Sequence, residues 1–102
     1  MGMGNLARMA QQMQAEMARV QAELEAMTFD GTAGGGVVSA TVNGKQEVVS
    51  VGIDPSAVDP DDVEMLQDLI TAAVNDALRA ARAEAERKLS GVTGGLRLPG
   101  LG

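Results

Sequence analysis

LARMAQQMQAEMARVQAELEAM, residues 6–27, carries a heptad: Leu6, Ala10, Met13, Met17, Val20, Leu24 and Met27 fall at alternating steps of four and three. No Gly or Pro interrupts the run, and Gln, Glu, Arg and Ala fill the other positions. A helix with one narrow apolar seam wants a partner helix along most of its length. Two uses fit it: a structural seam, or a Met-lined groove that adapts to varied partner proteins. Asn5 is placed to cap the helix start. Glu16, Glu23 and Glu25 lie in its later half, where the helix dipole opposes them, so packing of the seam must supply the stability.

Beyond Met27 the period changes. Residues 28–33 shift to β-prone types and run into Gly34-Gly35-Gly36. Residues 37–42 alternate, with Val38, Ala40 and Val42 on one face, and residues 45–53 return with Val49, Val51 and Ile53 sharing a face. Between them stands Asn43-Gly44, a strong hairpin signal because both residues tolerate positive φ in a two-residue turn. Pairing about that turn sets Val38 opposite Val49. The expectation is a short antiparallel meander of about three strands, apolar on one side.

Asp54-Pro55 closes the last strand. Asp59 is placed to cap a second helix, with Pro60 at its first position and Asp61 and Asp62 favourable to its dipole. That helix is expected from Pro60 to about Leu89, with Val63, Leu66, Ile70, Val74, Ala77 and Ala81 as the stripe that covers the sheet. Residues 90–102 are Gly-rich with Pro99 and read as a flexible tail. The fold class is therefore α+β: a long N-terminal helix, a short antiparallel β-meander, a long C-terminal helix and a Gly-rich tail. A single domain is expected over residues 1–89, with the tail over 90–102.

Size bounds the answer further. A chain of 102 residues with one Phe, no Trp and no Tyr has little bulk for a core. Folding would bury only about 60–65% of its unfolded surface, so a lone copy is marginal. Without Cys, neither disulfides nor a thiolate metal site can help, and a homodimer is the expected remedy. The same absence fits a reducing cytoplasm. The opening lacks a basic start followed by an apolar run, and Leu6 stands where a myristoylation start needs Ser or Thr. Charge interrupts every apolar stretch, so the expectation is a cytoplasmic protein with no membrane partner.

Catalysis has little to work with. His, Cys and Tyr are absent, and Ser39, Ser50, Ser56 and Ser90 have no obvious activating base. Asp59, Asp61, Asp62 and Glu64 lack the spacing and Gly of a calcium loop and read better as a charged helix start. The Gly34-Gly35-Gly36 run precedes a strand, with no adjacent Lys, so it reads as a turn rather than a phosphate cradle. No catalytic residue, metal ligand or cofactor is expected, and the chain is not expected to be an enzyme.

Net charge is −6, but its distribution is uneven. Residues 46–78 hold eight acids and no base, whereas five bases (Arg79, Arg82, Arg87, Lys88, Arg97) follow with only Glu84 and Glu86. Arg8 and Arg19 add bases on the first helix. Such a set suits phosphate contacts that are salt-sensitive and indifferent to sequence. With almost no aromatic residues, base stacking on single strands is disfavoured. The bland alternative is a solvated surface with helical ion pairs, and Arg82 with Glu86 fits it.

Several segments together resemble the YbaB/EbfC family of bacterial nucleoid-associated proteins. They are Met9-Ala10-Gln11-Gln12-Met13-Gln14, the Gly-rich step into Val37, Thr41-Val42-Asn43-Gly44 and Val51-Gly52-Ile53-Asp54-Pro55-Ser56. Glu64-Met65-Leu66-Gln67-Asp68-Leu69-Ile70, Ala72-Ala73-Val74-Asn75-Asp76-Ala77 and Gly94-Gly95-Leu96-Arg97-Leu98-Pro99 complete the series in order. The resemblance implies a homodimer with long helices projecting like tweezers. It also implies a nucleoid-associated role in the cytoplasm: binding double-stranded DNA, altering its conformation, and influencing gene expression or genome protection. Family DNA contact is associated with the two long helices, which here carry Arg8, Arg19, Arg79, Arg82, Arg87 and Lys88. The expected seam residues are Leu6, Met13, Met17, Val20, Leu24 and Met27. Assembly beyond the dimer is an extension of that reading. The competing readings are an adaptor that engages DNA-processing proteins and an acidic mimic of duplex DNA.

Overall fold

The computed structural model describes residues 2–94; the expected tail beyond Gly94, with Arg97, lies outside them. The elements are α1 (Met3–Glu25), β1 (Thr28–Ala33), β2 (Val38–Asn43), β3 (Val48–Ile53) and α2 (Val63–Gly94). Short 3-10 turns occupy Gly34–Gly36 and Pro55–Ala57. The strands form one antiparallel sheet in the order β1-β2-β3. The α+β meander between two long helices is thus as the two periodicities indicate.

The helix starts differ from expectation. α1 begins at Met3 with Gly2 at its N-cap, and Asn5 lies inside the first turn, its N–H donating to Gly2 O at 3.2 Å. α2 begins at Val63 because Asp62, not Asp59, caps it: Asp62 Oδ1 accepts the Met65 N–H at 3.2 Å. Asp59 instead folds back on its own segment, Oδ1 accepting the Asp61 N–H at 2.9 Å, which holds Pro60 in a turn. At its far end α2 passes Leu89 and runs through Gly91 to Gly94, so residues 90–94 are helix and not tail.

The β2–β3 hairpin has another register than the two-residue turn would give. Val38 pairs with Ile53, Ala40 with Val51 and Val42 with Val48, with a bulge between Thr41 and Val42 that leaves Val49 without a partner. The cause is the Asn43 side chain. Its Oδ1 accepts from the Lys45 N–H at 2.9 Å and the Glu47 N–H at 3.1 Å, and its Nδ2 donates to Glu47 Oε1 at 2.9 Å. Asn43 therefore sits at the first corner of a longer loop, closed by Gln46 N–H to Asn43 O at 3.0 Å, with Gln46 at φ 62°. Gly44 serves contact rather than φ: a Cβ there would collide with the Leu24 carbonyl.

The core lies between α2 and the first two strands. Its buried residues are Val38, Ala40, Val42, Ala73, Ala77 and Ala81, with Phe29, Leu66, Leu69, Ile70, Val74 and Leu78 half-buried around them. The line of α2 that meets the sheet is Ala73-Ala77-Ala81, one helical turn apart, where the sequence pattern favours Val74 with Ala77 and Ala81; Val63 is exposed. Gly31 explains the choice. A Cβ at Gly31 would run into the backbone of Ala73 and Ala77, so glycine on the strand and alanine on the helix let the two backbones close up. The opposite sheet face is polar, as Thr41 Oγ1 donating to Asp30 Oδ1 at 2.7 Å illustrates.

Candidate nucleic-acid interface

α2 crosses β1 at Gly31 and reaches Glu23 of α1 with Lys88, so the two helices run antiparallel away from the sheet. α1 contributes only Val20 and Leu24 to the buried interior; Leu6 and Met17 are exposed and Met13 and Met27 half-buried. The expected continuous seam is therefore packed only at its inner end within one copy. The result is a sheet end and a long helical arm, with principal extents of 71 × 27 × 16 Å.

The six candidate cations all lie on this arm or at its root, but they are not equivalent. Arg19 bridges two glutamates of its own helix, at 2.7 Å to Glu16 and 2.5 Å to Glu23. Arg87 pairs with Glu84 one turn earlier, and Arg79 lies 3.7 Å from Asp76. Lys88, only 22% exposed, reaches across to Glu23 at 3.0 Å and clasps α2 to α1. Among the described residues, Arg8 and Arg82 form no ion pair, so the expected Arg82–Glu86 pair does not form. Both are exposed, Arg8 near the tip of α1 and Arg82 beyond the sheet on α2.

These pairings leave their mark on titration. Hydrogen bonding from Arg19 holds the Glu16 carboxyl below the usual glutamate range, and the neighbouring charge adds to it. Glu23 is lowered chiefly by its hydrogen bond from Lys88, and Glu84 by that from Arg87. Arg19 and Arg87 are raised in turn by Glu16 and Glu84. The Arg19 pairs are exposed on both sides and such pairs contribute little, so a phosphate can compete for Arg19, whereas Arg87 is exposed but its partner Glu84 is half-buried. Lys88 is the cation least free to leave its partner.

The acidic stretch lies elsewhere, around the start of α2. There Asp62, Glu64 and Asp68 line a shallow groove with Met65, Leu69 and Ala72. Among the described residues, no three acidic side chains converge as a metal site would require. Gly34 and Gly35 have positive φ in the turn between β1 and β2, which carries the chain into a strand, as the sequence indicates. Sequence reasoning missed two features, the Glu23 clasp and the close approach at Gly31. A lone Gly inside a strand pattern is the signal for the second. No helix of the described residues is long and apolar enough to cross a membrane.

A helix–meander–helix unit with exposed arginines along a projecting helical arm and a single aromatic side chain, Phe29, defines a class of small proteins suited to contacting phosphates by charge. The chain belongs to the YbaB/EbfC DNA-binding family, whose pattern matches residues 1–96. It is 55% identical to a nucleoid-associated protein of Moorella thermoacetica, over 98% of this chain and 99% of that one. A nucleoid-associated protein of Chloroflexus aurantiacus is 53% identical, over 95% and 97% of the two chains. The fold is similar to the crystal structure of an uncharacterized Helicobacter pylori protein at a TM-score of 0.76 and 25% identity, covering 89% of this chain and 96% of that one.

Proposed function

We propose that two copies of this chain bind double-stranded DNA together, largely without regard to sequence, and alter its conformation as part of the bacterial nucleoid. Roles in gene regulation and DNA protection follow from that activity, and it needs no catalytic group or cofactor. Family membership supports DNA as the ligand. The single observation that carries the reading here is that Arg8 and Arg82, exposed and in no ion pair among the described residues, mark two places along the arm where a phosphate meets a cation without displacing a described carboxylate. Arg79, loosely held, stands one turn before Arg82. Arg19 exchanges partners at small cost, Arg87 has to leave the half-buried Glu84, and Lys88 acts mainly by fixing the arm.

Dimerisation has its own support. β3 carries Val48, Val51 and Ile53 on the face that α2 covers over β1 and β2, yet they are 50%, 42% and 39% exposed. The outer edge of β1 is capped where the Thr32 N–H donates to Asp76 Oδ2 at 3.1 Å, whereas β3 has a strand on one side only. A second copy seated on β3 covers both the apolar face and the open edge. Two arms then project from one core.

Anisotropy of a labelled arbitrary-sequence duplex, titrated at several salt concentrations, tests the reading. Saturable binding should weaken steeply with salt. Reversal of Arg8 or Arg82 to Glu should weaken it on every sequence and reduce the salt slope by about one for each phosphate that is no longer neutralised. Binding unchanged by both reversals overturns the assignment to the arm. No binding at low salt would favour the adaptor reading, in which the groove of Asp62, Glu64, Met65 and Asp68 takes a basic partner protein.

A further inference from the structure

Lys45 is the one cation among the described residues that stands outside the two helices, and it takes part in none of their ion pairs. It is exposed on the β2–β3 loop, which is fixed from two sides. Gly44 presses against the Leu24 carbonyl of α1, where a Cβ has no room. Asn43 Oδ1 accepts from the Lys45 and Glu47 N–H groups, and Asn43 Nδ2 donates to the Glu47 carboxylate at 2.9 Å. The one carboxylate of the loop is thus bonded to an amide and forms no ion pair with Lys45.

Lys45 lines one wall of a groove at the root of the arm. Gln21, Leu24 and Glu25 of α1 form another wall, and Ala85 and Leu89 of α2 a third. Arg82 stands seven residues before Leu89, close to two helical turns, so both side chains leave α2 on the same side. Arg82 is therefore on the groove side, about 10 Å back along the helix from Leu89. Two exposed cations from different elements, neither in an ion pair among the described residues, flank one groove. Gln21 adds an amide able to donate to a phosphate oxygen. Glu25 is the opposing charge in the groove, and it too forms no ion pair among the described residues.

This root is well separated from the tip. Gln21 stands 13 residues after Arg8, a rise of about 20 Å along α1. Phosphates of one strand advance about 3.4 Å per step, so a duplex lying along α1 places about six of them between the two points. We propose that Lys45 and Arg82 form a second backbone-binding point for double-stranded DNA at this groove, with Asn43 as the positioning residue of Lys45. The inference rests on the reading of the chain as a duplex-binding protein and adds a loop to the helical arm. Lys acts here as a point charge and makes no demand on base sequence.

Lys45 and Lys88 are the only lysines of the chain, which permits a direct test in the full protein. Their amines are acetylated with limiting reagent and read by mass spectrometry, with and without an arbitrary-sequence duplex. At low salt a saturating duplex should protect Lys45 at least about fivefold, while Lys88, held on Glu23, changes less than about twofold. Saturation in anisotropy with Lys45 as reactive as in the free protein overturns the root contact and leaves the duplex reading standing. No saturation at low salt overturns both. Lys45→Gln should lower the salt slope by about one for each arm in contact, and Lys45→Arg should restore it; an unchanged slope in the Gln variant also overturns the contact. Asn43→Ala releases Glu47 toward Lys45, so it should weaken binding in the natural chain and add little once Lys45 is replaced by Gln. Equal effects in both backgrounds overturn the positioning role of Asn43.

Discussion

Gly31 shows how one absent side chain sets a whole packing geometry. It lies on β1 opposite Ala40, beneath the Ala73–Ala77 turn of α2, with no room for a methyl group. Gly31→Ala must push helix and sheet apart and should lower stability by about 2–4 kcal/mol, read as a fall in the thermal midpoint. A change under about 0.5 kcal/mol would mean the helix does not seat there. Gln46 is the opposite case. It holds φ at 62°, where a side chain costs about 1–2 kcal/mol, and glycine's greater freedom in the unfolded chain offsets part of the relief. Gln46→Gly should therefore stabilise by up to about 1 kcal/mol in the same melts; destabilisation would argue against the left-handed loop position. In the sequence Gly31 gives only the general signal of a glycine inside a strand pattern, without naming what approaches it, and Gln46 carries no turn signal of its own.

At the level of elements, the clasp between Glu23 and Lys88 is the one ion pair among the described residues that joins the two helices of the arm. Glu23 titrates below the ordinary glutamate range because Lys88 hydrogen-bonds to its ionised form. A carboxylate lowered on folding stabilises the folded arrangement above its unfolded value, near pH 4.3, and loses that contribution as pH falls through the lowered value. Hydrogen exchange over residues 17–25 should accordingly be flat from neutral pH down to the ordinary glutamate range, once corrected for intrinsic rates, and rise only below it. Glu23→Gln should raise exchange near pH 7 and flatten that acid step; an unchanged step would assign it to another carboxylate. Helix and strand periods made these elements legible, and the order α1, meander, α2 follows from them. The details that escaped are those in which a polar side chain chooses between two local partners. Asn43 moves the hairpin register by binding Lys45 and Glu47, and Asp59 moves the α2 start by turning back on Asp61. The phase of α2 escaped for a different reason. Pattern reading favours the bulkiest stripe, whereas close approach selects alanine. The six cations were legible as a set, but their availability depends on which glutamates stand one turn away.

For the molecule as a whole, the polarity of the chain has a consequence for assembly. The interior of one copy is built from Val20, Val38, Val42, Leu24 and four alanines, which is thin for 102 residues, while β3 leaves four branched side chains in water. Val51 stands at the middle of that strand, paired with the fully buried Ala40, and is 42% exposed. Val51→Glu puts a charge at the centre of the surface proposed to join two copies without entering the core of one. A charge in such a position commonly costs several kcal/mol of association, so the dimer dissociation constant should rise at least about 100-fold. Sedimentation at micromolar concentration should then find monomers with unchanged far-ultraviolet circular dichroism. Because each copy brings its own Arg8 and Arg82, a monomer offers half the phosphate contacts, and the salt slope of any remaining duplex binding should fall to about half. A variant that stays dimeric would move the joint away from β3 and onto the outer stripe of α1. A monomer that retains the full slope would mean that one arm alone holds the DNA.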